Sequence, residues 1–176
     1  ETDYIAWDAR FDELGFGRVS YCDGVLEIMS LTKLHERVRR ILSRLIEDYA
    51  LSLGMILDST GSATIGERSK DAGKEPDDSF WFDRPGTDNS PDLVTEIVVS
   101  SEAISKQPFY ARFNIPELWV WENRKITIYL LNENADGYDS AEKSQIFPDL
   151  DMDLVEQCCK LETLGEAIKK FQATLG

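Results

Sequence analysis

The chain has 176 residues, of which 42% are hydrophobic and 30% charged, a composition typical of one globular domain with a substantial core. Its net charge of -14 opposes non-specific binding to nucleic acid, because such binding depends on lysine and arginine contacts to phosphates. No apolar run approaches the ~20 residues of a membrane helix, and the three cysteines lack a disulfide or zinc spacing. We therefore expect a cytoplasmic protein with one domain, residues 1–176, and no membrane partner.

The first third of the chain predicts a short helix, a hairpin and a long helix. Residues up to about Gly17 suit a short helix with a few buried apolar positions. Asp23-Gly24 separates two strand-like runs, and this dipeptide favours the type I′ turn of a β-hairpin. Apolar residues then recur at helical spacing from Thr32 to Ala50, and Thr32 is a typical N-cap.

The predicted long helix carries polar residues that each have two interpretations. Its basic cluster is more often a solvated face than a phosphate contact; Arg37, Arg40 and Arg44 are the candidates for the latter. His35, the only histidine, lies beside the apolar stripe, where a packed or hydrogen-bonded histidine is more common than a metal ligand. Glu36 falls nearly opposite the stripe, so we expect it to point away from the core.

The middle of the chain predicts several strands. Short strands at 55–58 and 62–65 precede a polar segment, 66–74, that we interpret as a loop. An aromatic strand follows Asp77. The strand from Asp92 to Ser100 has apolar residues on both faces, a pattern typical of a central strand that is covered on both sides.

Glu96 lies inside that apolar central strand, on the same face as Val94 and Val98. An unpaired charge there would be strongly unfavourable, so Glu96 must be neutralised, paired or bound to a metal. An ion pair between Glu96 and an arginine is the alternative to metal binding. Asp92 shares this face, but four residues of strand separate it from Glu96 by ~13 Å. We interpret Asp92 as a residue that opens the strand, or as one that contacts the metal ligands without binding the metal itself.

The last third predicts a helix, a hairpin and a closing helix. Ser105 can cap a helix whose first turn contains Lys106 and which ends at Asn114. Strands at 118–121 and 125–131 form a hairpin, and 132–140 reads as a surface loop. Residues 161–175 have the apolar spacing of an amphipathic helix.

Asp77, Glu96 and Lys106 form a candidate hydrolytic site. Two carboxylates from neighbouring strands can hold Mg²⁺, or Mn²⁺ in its place, because such ions prefer oxygen ligands and keep several waters. The ion polarises a phosphoryl oxygen and lowers the pKa of a bound water. A nearby lysine can orient that water or stabilise the charge that builds on phosphorus. The spacing alone is weakly specific and occurs by chance in many chains.

A set of segments, in this order and at these intervals, resembles one protein family. The segments are Glu75-Pro-Asp-Asp-Ser-Phe-Trp-Phe, Pro91-Asp-Leu-Val-Thr-Glu-Ile, Ser100-Ser101 through Lys106-Gln-Pro-Phe-Tyr-Ala, and Ile115-Pro-Glu-Leu-Trp. They resemble the Uma-two family of restriction endonucleases, placed in the PD-(D/E)xK nuclease superfamily. The likeness covers nearly the whole chain and includes Asp23-Gly24, His35-Glu36 and Phe147-Pro148.

The resemblance implies an α/β (α+β) fold. Its restriction-endonuclease-like core is a mixed β-sheet flanked by helices, in this chain with an N-terminal β-hairpin, and it often assembles as a homodimer. It assigns the metal-binding acids to Asp77 and Glu96. The superfamily lysine stands two residues after the glutamate, where this chain has Val98, and Lys106 resembles its replacement. A glutamate that superfamily members often use on the first helix matches Glu36.

Two functions compete for this sequence. The first is a metal-dependent endonuclease that hydrolyses phosphodiester bonds of DNA. The second is a catalytically inactive nuclease-fold protein that acts as an interaction or regulatory module, since fold alone does not confer function. The acidity of the chain and the displaced lysine favour the second. A carboxylate-lined cleft flanked by basic residues would favour the first, and an arginine closing onto Glu96 the second.

Overall fold

The structure is a computed structural model, and it describes residues 18–22, 25–29, 32–67, 72–99 and 106–175. The helix predicted before Gly17, the Asp23-Gly24 turn itself and the Ser105 cap lie outside these residues. No helix in the described ranges is long and apolar enough to cross a membrane.

The described part of the chain contains ten short strands and four helices. In chain order, the elements are β1 (Arg18–Cys22), β2 (Val25–Met29), α1 (Lys33–Ser52), β3 (Leu57–Ser59), β4 (Ile65–Glu67), β5 (Ala72–Lys74), β6 (Asp78–Phe82), β7 (Leu93–Val98), α2 (Gln107–Arg112), β8 (Glu117–Glu122), β9 (Lys125–Leu131), β10 (Tyr138–Ala141), α3 (Met152–Cys159) and α4 (Leu164–Gln172).

The strands form two sheets. The larger has six strands in the order β10-β9-β8-β7-β6-β3, and the smaller has four in the order β2-β1-β5-β4. Strands β7 and β8 run parallel, whereas the other pairings in the larger sheet are antiparallel. The predicted mixed sheet is therefore confirmed. In the smaller sheet β1 and β2 pair antiparallel on either side of Asp23-Gly24, as expected of the predicted hairpin.

Helices cover both faces of the larger sheet at its centre. On one face, residues of α1, α3 and α4 pack with Leu93 and Ile97 of β7. On the other face, α2 packs with Val94 of β7 and Leu118 of β8. Every residue of β7 except Val98 is buried, which confirms the prediction of a central strand that is covered on both sides.

The sequence-based boundaries were wrong in four places. The strand predicted at 62–65 is β4, which starts only at Ile65. The segment 66–74 is not only a loop, because β5 lies in it and pairs with both β1 and β4. The segment 132–140 contains the start of β10, an edge strand on β9. Near the end, α3 was missed and α4 is shorter than 161–175, because Thr163 caps a new helix there. Strands of three or four residues are too short to show a side-chain period, so pairing with distant strands decides them.

The core packing of α1 predicts a strong position dependence for leucine truncation. Leu42 is fully buried and Leu34, on the same helix, is 53% exposed. We expect Leu42→Ala to lower the free energy of unfolding by about 2–5 kcal/mol, because it removes buried methyl groups and leaves a cavity. Leu34→Ala is the matched control and should change the free energy by less than about 0.5 kcal/mol. Urea denaturation measures both, and equal losses would contradict this packing.

Candidate functional site

Glu96 is a buried carboxylate held by three donors. It lies in β7 with only 1% of its surface exposed. The Lys106 ammonium donates to Oε2 at 2.8 Å, and the Lys74 ammonium is 3.2 Å from Oε1. The Tyr110 hydroxyl also donates to Oε1. Two lysines therefore neutralise the charge of Glu96, whereas the sequence analysis considered an ion pair with an arginine.

These contacts set the protonation states of the cluster. Burial by itself would raise the pKa of Glu96, but the charges of Lys106 and Lys74 outweigh burial and hold this pKa at about 2. Burial lowers the pKa of Lys74 to about 8; Glu96 opposes this shift and Lys106 adds to it. Burial and then the Glu96 charge raise the pKa of Tyr110 well above its ordinary value. At pH 7 Glu96 is thus ionised, Lys74 mostly protonated and Tyr110 a neutral donor.

The three donors to Glu96 come from two different elements. Lys106 is the N-cap residue of α2, and Tyr110 follows it by four residues, so that both side chains lie on one face of the helix. Lys74 is the last residue of β5 and pairs with Ser20 and Ile65 in the smaller sheet. The prediction placed Lys106 at the start of a helix but missed Lys74 and Tyr110. The sequence contains no local signal for Lys74, because strand pairing in the smaller sheet brings it to Glu96.

Asp77 lies next to Glu96 on the neighbouring strand. Asp78 of β6 pairs with Thr95 of β7, so Asp77 stands one step further along, beside Glu96. Its buried carboxylate accepts a hydrogen bond from the backbone amide of Ile97 at 2.6 Å. It also lies 3.1 Å from Nε2 of His35, in helix α1. The two carboxylates thus belong to neighbouring chain segments but contact different helices: Asp77 contacts α1 and Glu96 contacts α2, and these helices cover opposite faces of the sheet.

A polar chain links Asp77 to the surface of α1. The other ring nitrogen of His35 lies 3.1 Å from Oε1 of Glu36, and Arg39 donates twice to Oε2 of Glu36. His35 is fully buried, so it is a packed, hydrogen-bonded histidine as its sequence context favoured. The Glu36 side chain is 40% exposed, in keeping with the outward orientation expected for it, yet it contacts Asp77 indirectly through His35.

Asp78, which the sequence analysis did not single out, is a second buried acid beside Asp77. It accepts hydrogen bonds from Ser43 of α1, from Ser59 of β3 at 2.9 Å and from the backbone amide of Ser79. Arg39 approaches it to 3.9 Å. Asp78 therefore fastens β6 to α1 and β3, and fixes the strand end from which Asp77 projects.

The remaining predicted residues lie away from this cluster. Asp92 precedes β7, where it accepts from the Phe82 amide at 2.9 Å and from Arg84 at 3.1 Å. This arrangement fits the strand-opening role predicted for Asp92. Along α1, Arg37 and Arg40 are exposed, and Arg44 is also exposed but bonds to Asp48 at 2.7 Å.

Asp77 and Glu96 carry the type of oxygen ligand that Mg²⁺ and Mn²⁺ prefer. Asp77 and Glu96 offer carboxylate oxygens from adjacent strands, and Glu96 is ionised at neutral pH. Within the described ranges, no group of three or more His, Cys, Asp or Glu side chains could hold a metal. Waters or phosphate oxygens would have to complete the coordination, as is usual for Mg²⁺.

Comparison with known proteins agrees with this architecture. The sequence profile of the Uma2 family, described as "Putative restriction endonuclease", matches residues 3–160. The chain belongs to the Uma2 family. This finding confirms the resemblance to the Uma-two restriction endonucleases that the motifs indicated.

One solved structure supports the fold of this Uma2 protein. It is the crystal structure of "a putative nuclease belonging to DUF820 from Anabaena variabilis ATCC 29413". It is 11% identical, covers 87% of this chain and 90% of its own, and superposes with a TM-score of 0.51. No curated protein matches the Uma2 chain. The predicted fold, a nuclease-type mixed sheet flanked by helices, is confirmed.

The contact between His35 and Asp77 predicts that the pKa of His35 lies above the ordinary value for histidine. Burial by itself lowers the pKa of His35, but the hydrogen bond and charge of Asp77, aided by Glu36, raise it above 6.5. Because the Uma2 chain has one histidine, NMR titration of a single imidazole signal measures this pKa. We expect Asp77→Asn to lower it, whereas Asp139→Asn, on exposed β10, should leave it unchanged. An unchanged pKa in Asp77→Asn would contradict the contact.

The same contact predicts how stability depends on pH. A raised folded-state pKa means that protonated His35 favours the folded protein. This contribution is fully present below the unfolded-state pKa and is lost as the pH rises through the folded-state value. We therefore expect Asp77→Asn to reduce the free energy of unfolding more at about pH 5.5 than at about pH 8.5. Denaturant titrations of both proteins at the two pH values measure the difference, and an equal or reversed loss would contradict it.

Proposed function

We propose that this Uma2 protein is a metal-dependent endonuclease that hydrolyses phosphodiester bonds of DNA. In this proposal Asp77 and Glu96 hold Mg²⁺ or Mn²⁺, and Lys106 acts at the scissile phosphate. The main support is the 2.8 Å contact between the Lys106 ammonium and Glu96. The strand position of the superfamily lysine is Val98 in this chain, so a lysine has to reach the glutamate from another element. Lys106 does so from the start of α2.

Each residue has a distinct role in the proposed reaction. When bound, the cation would polarise a phosphoryl oxygen and supply an activated water. The Lys106 ammonium stabilises the negative charge that builds on the phosphate oxygens in the transition state. Tyr110 holds Oε1 of Glu96 in place, and the Ile97 amide with His35 orients the Asp77 carboxylate. Preorganisation of this kind lowers the barrier because the dipoles need not reorient during the reaction.

The approach of DNA would depend on the few basic residues that are accessible. Arg37 and Arg40 are exposed on α1, the helix that also carries His35. Phosphate contacts at these side chains would offset part of the repulsion from a chain of net charge -14. The family resemblance also leads us to propose a homodimer in the cytoplasm. Light scattering that gives the mass of one chain would contradict the dimer.

A second candidate function is a catalytically inactive interaction or regulatory module. Two observations favour it: Glu96 is only 1% exposed, and both of its oxygens already have protein donors. The acidity of the chain also opposes DNA binding. Under this alternative, the cluster around Glu96 would serve stability alone.

Plasmid cleavage separates the two functions. We expect the wild type to nick supercoiled plasmid with Mg²⁺ or Mn²⁺ and to lose this activity in EDTA. Asp77→Asn, Glu96→Gln and Lys106→Met should each slow cleavage by about 100-fold or more, because each removes a ligand or a charge at the reacting phosphate. The matched controls Asp139→Asn and Lys169→Met change exposed residues of the same types and should cleave like the wild type.

The outcome decides between the candidates. Equal nicking by the wild type and Asp77→Asn would remove the catalytic assignment. A folded wild type that cleaves neither DNA nor RNA with either metal would favour the inactive module.

A further inference from the structure

Lys74 occupies one of the two oxygens of the proposed metal ligand Glu96. Its ammonium lies 3.2 Å from Oε1, while Lys106 binds Oε2 at 2.8 Å. The Lys74 side chain is only 3% exposed, and its ammonium also lies 5.9 Å from the centre of the Tyr110 ring. The Glu96 carboxylate and the aromatic face attract this ammonium and offset part of the cost of burying it.

The position of Lys74 is set by a part of the fold that contributes nothing else to the described site. Its backbone ends β5, between Ser20 of β1 and Ile65 of β4. Lys106, by contrast, belongs to α2, which packs directly on the face of the larger sheet that carries Glu96. The smaller sheet thus places the ammonium of Lys74 against the carboxylate of Glu96 in the larger sheet.

We propose, on the basis of the function proposed above, that Lys74 is a positioning residue which competes with the divalent cation for Glu96. Its ammonium keeps the buried carboxylate ionised and in place while no cation is bound. Binding of a cation at Glu96 then requires this ammonium to give up or share Oε1, and the two positive charges repel each other at short range in a poorly screened environment. Lys74 therefore weakens cation binding while it stabilises the empty site.

Lys74 is a better candidate for this competition than Lys106. Tyr110 donates to the same oxygen, so Oε1 keeps a donor when the ammonium of Lys74 leaves. Lys106 donates to the other oxygen, Oε2, and is the proposed phosphate contact. Removing Lys74 should therefore open the carboxylate to a cation without releasing its side chain.

A titration with Mn²⁺ tests this competition without any substrate. Free Mn²⁺ is followed by its electron paramagnetic resonance signal at pH 7, with the full chain at fixed concentration. We expect Lys74→Met to bind Mn²⁺ about tenfold more tightly than the wild type, because a like charge next to the ligand is removed. Lys74→Gln, which keeps an amide donor without charge, should behave in the same way. Lys74→Arg keeps the charge and should bind like the wild type.

Two controls make the result specific. Lys169→Met removes an exposed lysine on α4 and should bind Mn²⁺ like the wild type, which accounts for the change in net charge. Thermal unfolding in EDTA shows which variants are folded; if Lys74→Met is not, Lys74→Gln carries the test. We expect both uncharged variants to be less stable than the wild type in EDTA, although they bind the ion more tightly. A purely structural lysine would not give these opposite effects.

The outcomes separate this inference from the proposed function. A wild type that binds Mn²⁺, together with Lys74 variants of the same affinity within about twofold, overturns the competition and leaves the nuclease proposal intact. If the Lys74 variants bind Mn²⁺ and the wild type shows no binding, the result supports the competition in its strongest form. If neither the wild type nor the variants bind Mn²⁺, both proposals are overturned.

Discussion

The burial of one charge, the carboxylate of Glu96, is the constraint on which the arrangement of this protein depends. Glu96 lies inside β7, between apolar residues of a strand that is covered on both faces. Leaving an ionised carboxylate in such a place without partners would cost far more than a surface ion pair contributes. Two lysines and a tyrosine satisfy it, and they come from the smaller sheet and from α2. This one side chain therefore joins three parts of the fold.

The acids next to β7, Asp77 and Asp78, are also buried and also need partners. Asp77 and Asp78 are adjacent buried acids at the start of β6, and α1 meets both of them, through His35 and through Ser43. The backbone amide of Ile97 completes the partners that are described for Asp77. Because neighbouring strands bring Asp77 beside Glu96, the end of the sheet gathers acids that face different helices. This concentration of buried charge carries a stability cost that is typical of functional sites.

The same contacts bear on both candidate functions. The hydrogen bonds that hold Glu96 and Asp77 preorganise oxygen ligands, which is useful to a hydrolase because the ligands then need little rearrangement. They also fill the oxygens with protein donors, which is sufficient to explain a stable site without chemistry. Membership of the Uma2 family and the nuclease-type fold favour the first function. The strong acidity of the chain favours the second.

The sequence by itself determined the features that depend on local pattern. These are the hairpin around Asp23-Gly24, the long helix, the covered central strand and the presence of a charged residue, Glu96, inside that apolar strand. The ordered motifs also determined the family. Only the tertiary structure decided the partners of the acids. Lys74 reaches Glu96 from β5, a strand of only three residues, and His35 reaches Asp77 across 42 residues of chain. Local propensity carries no information on such contacts, because long-range packing brings these side chains together.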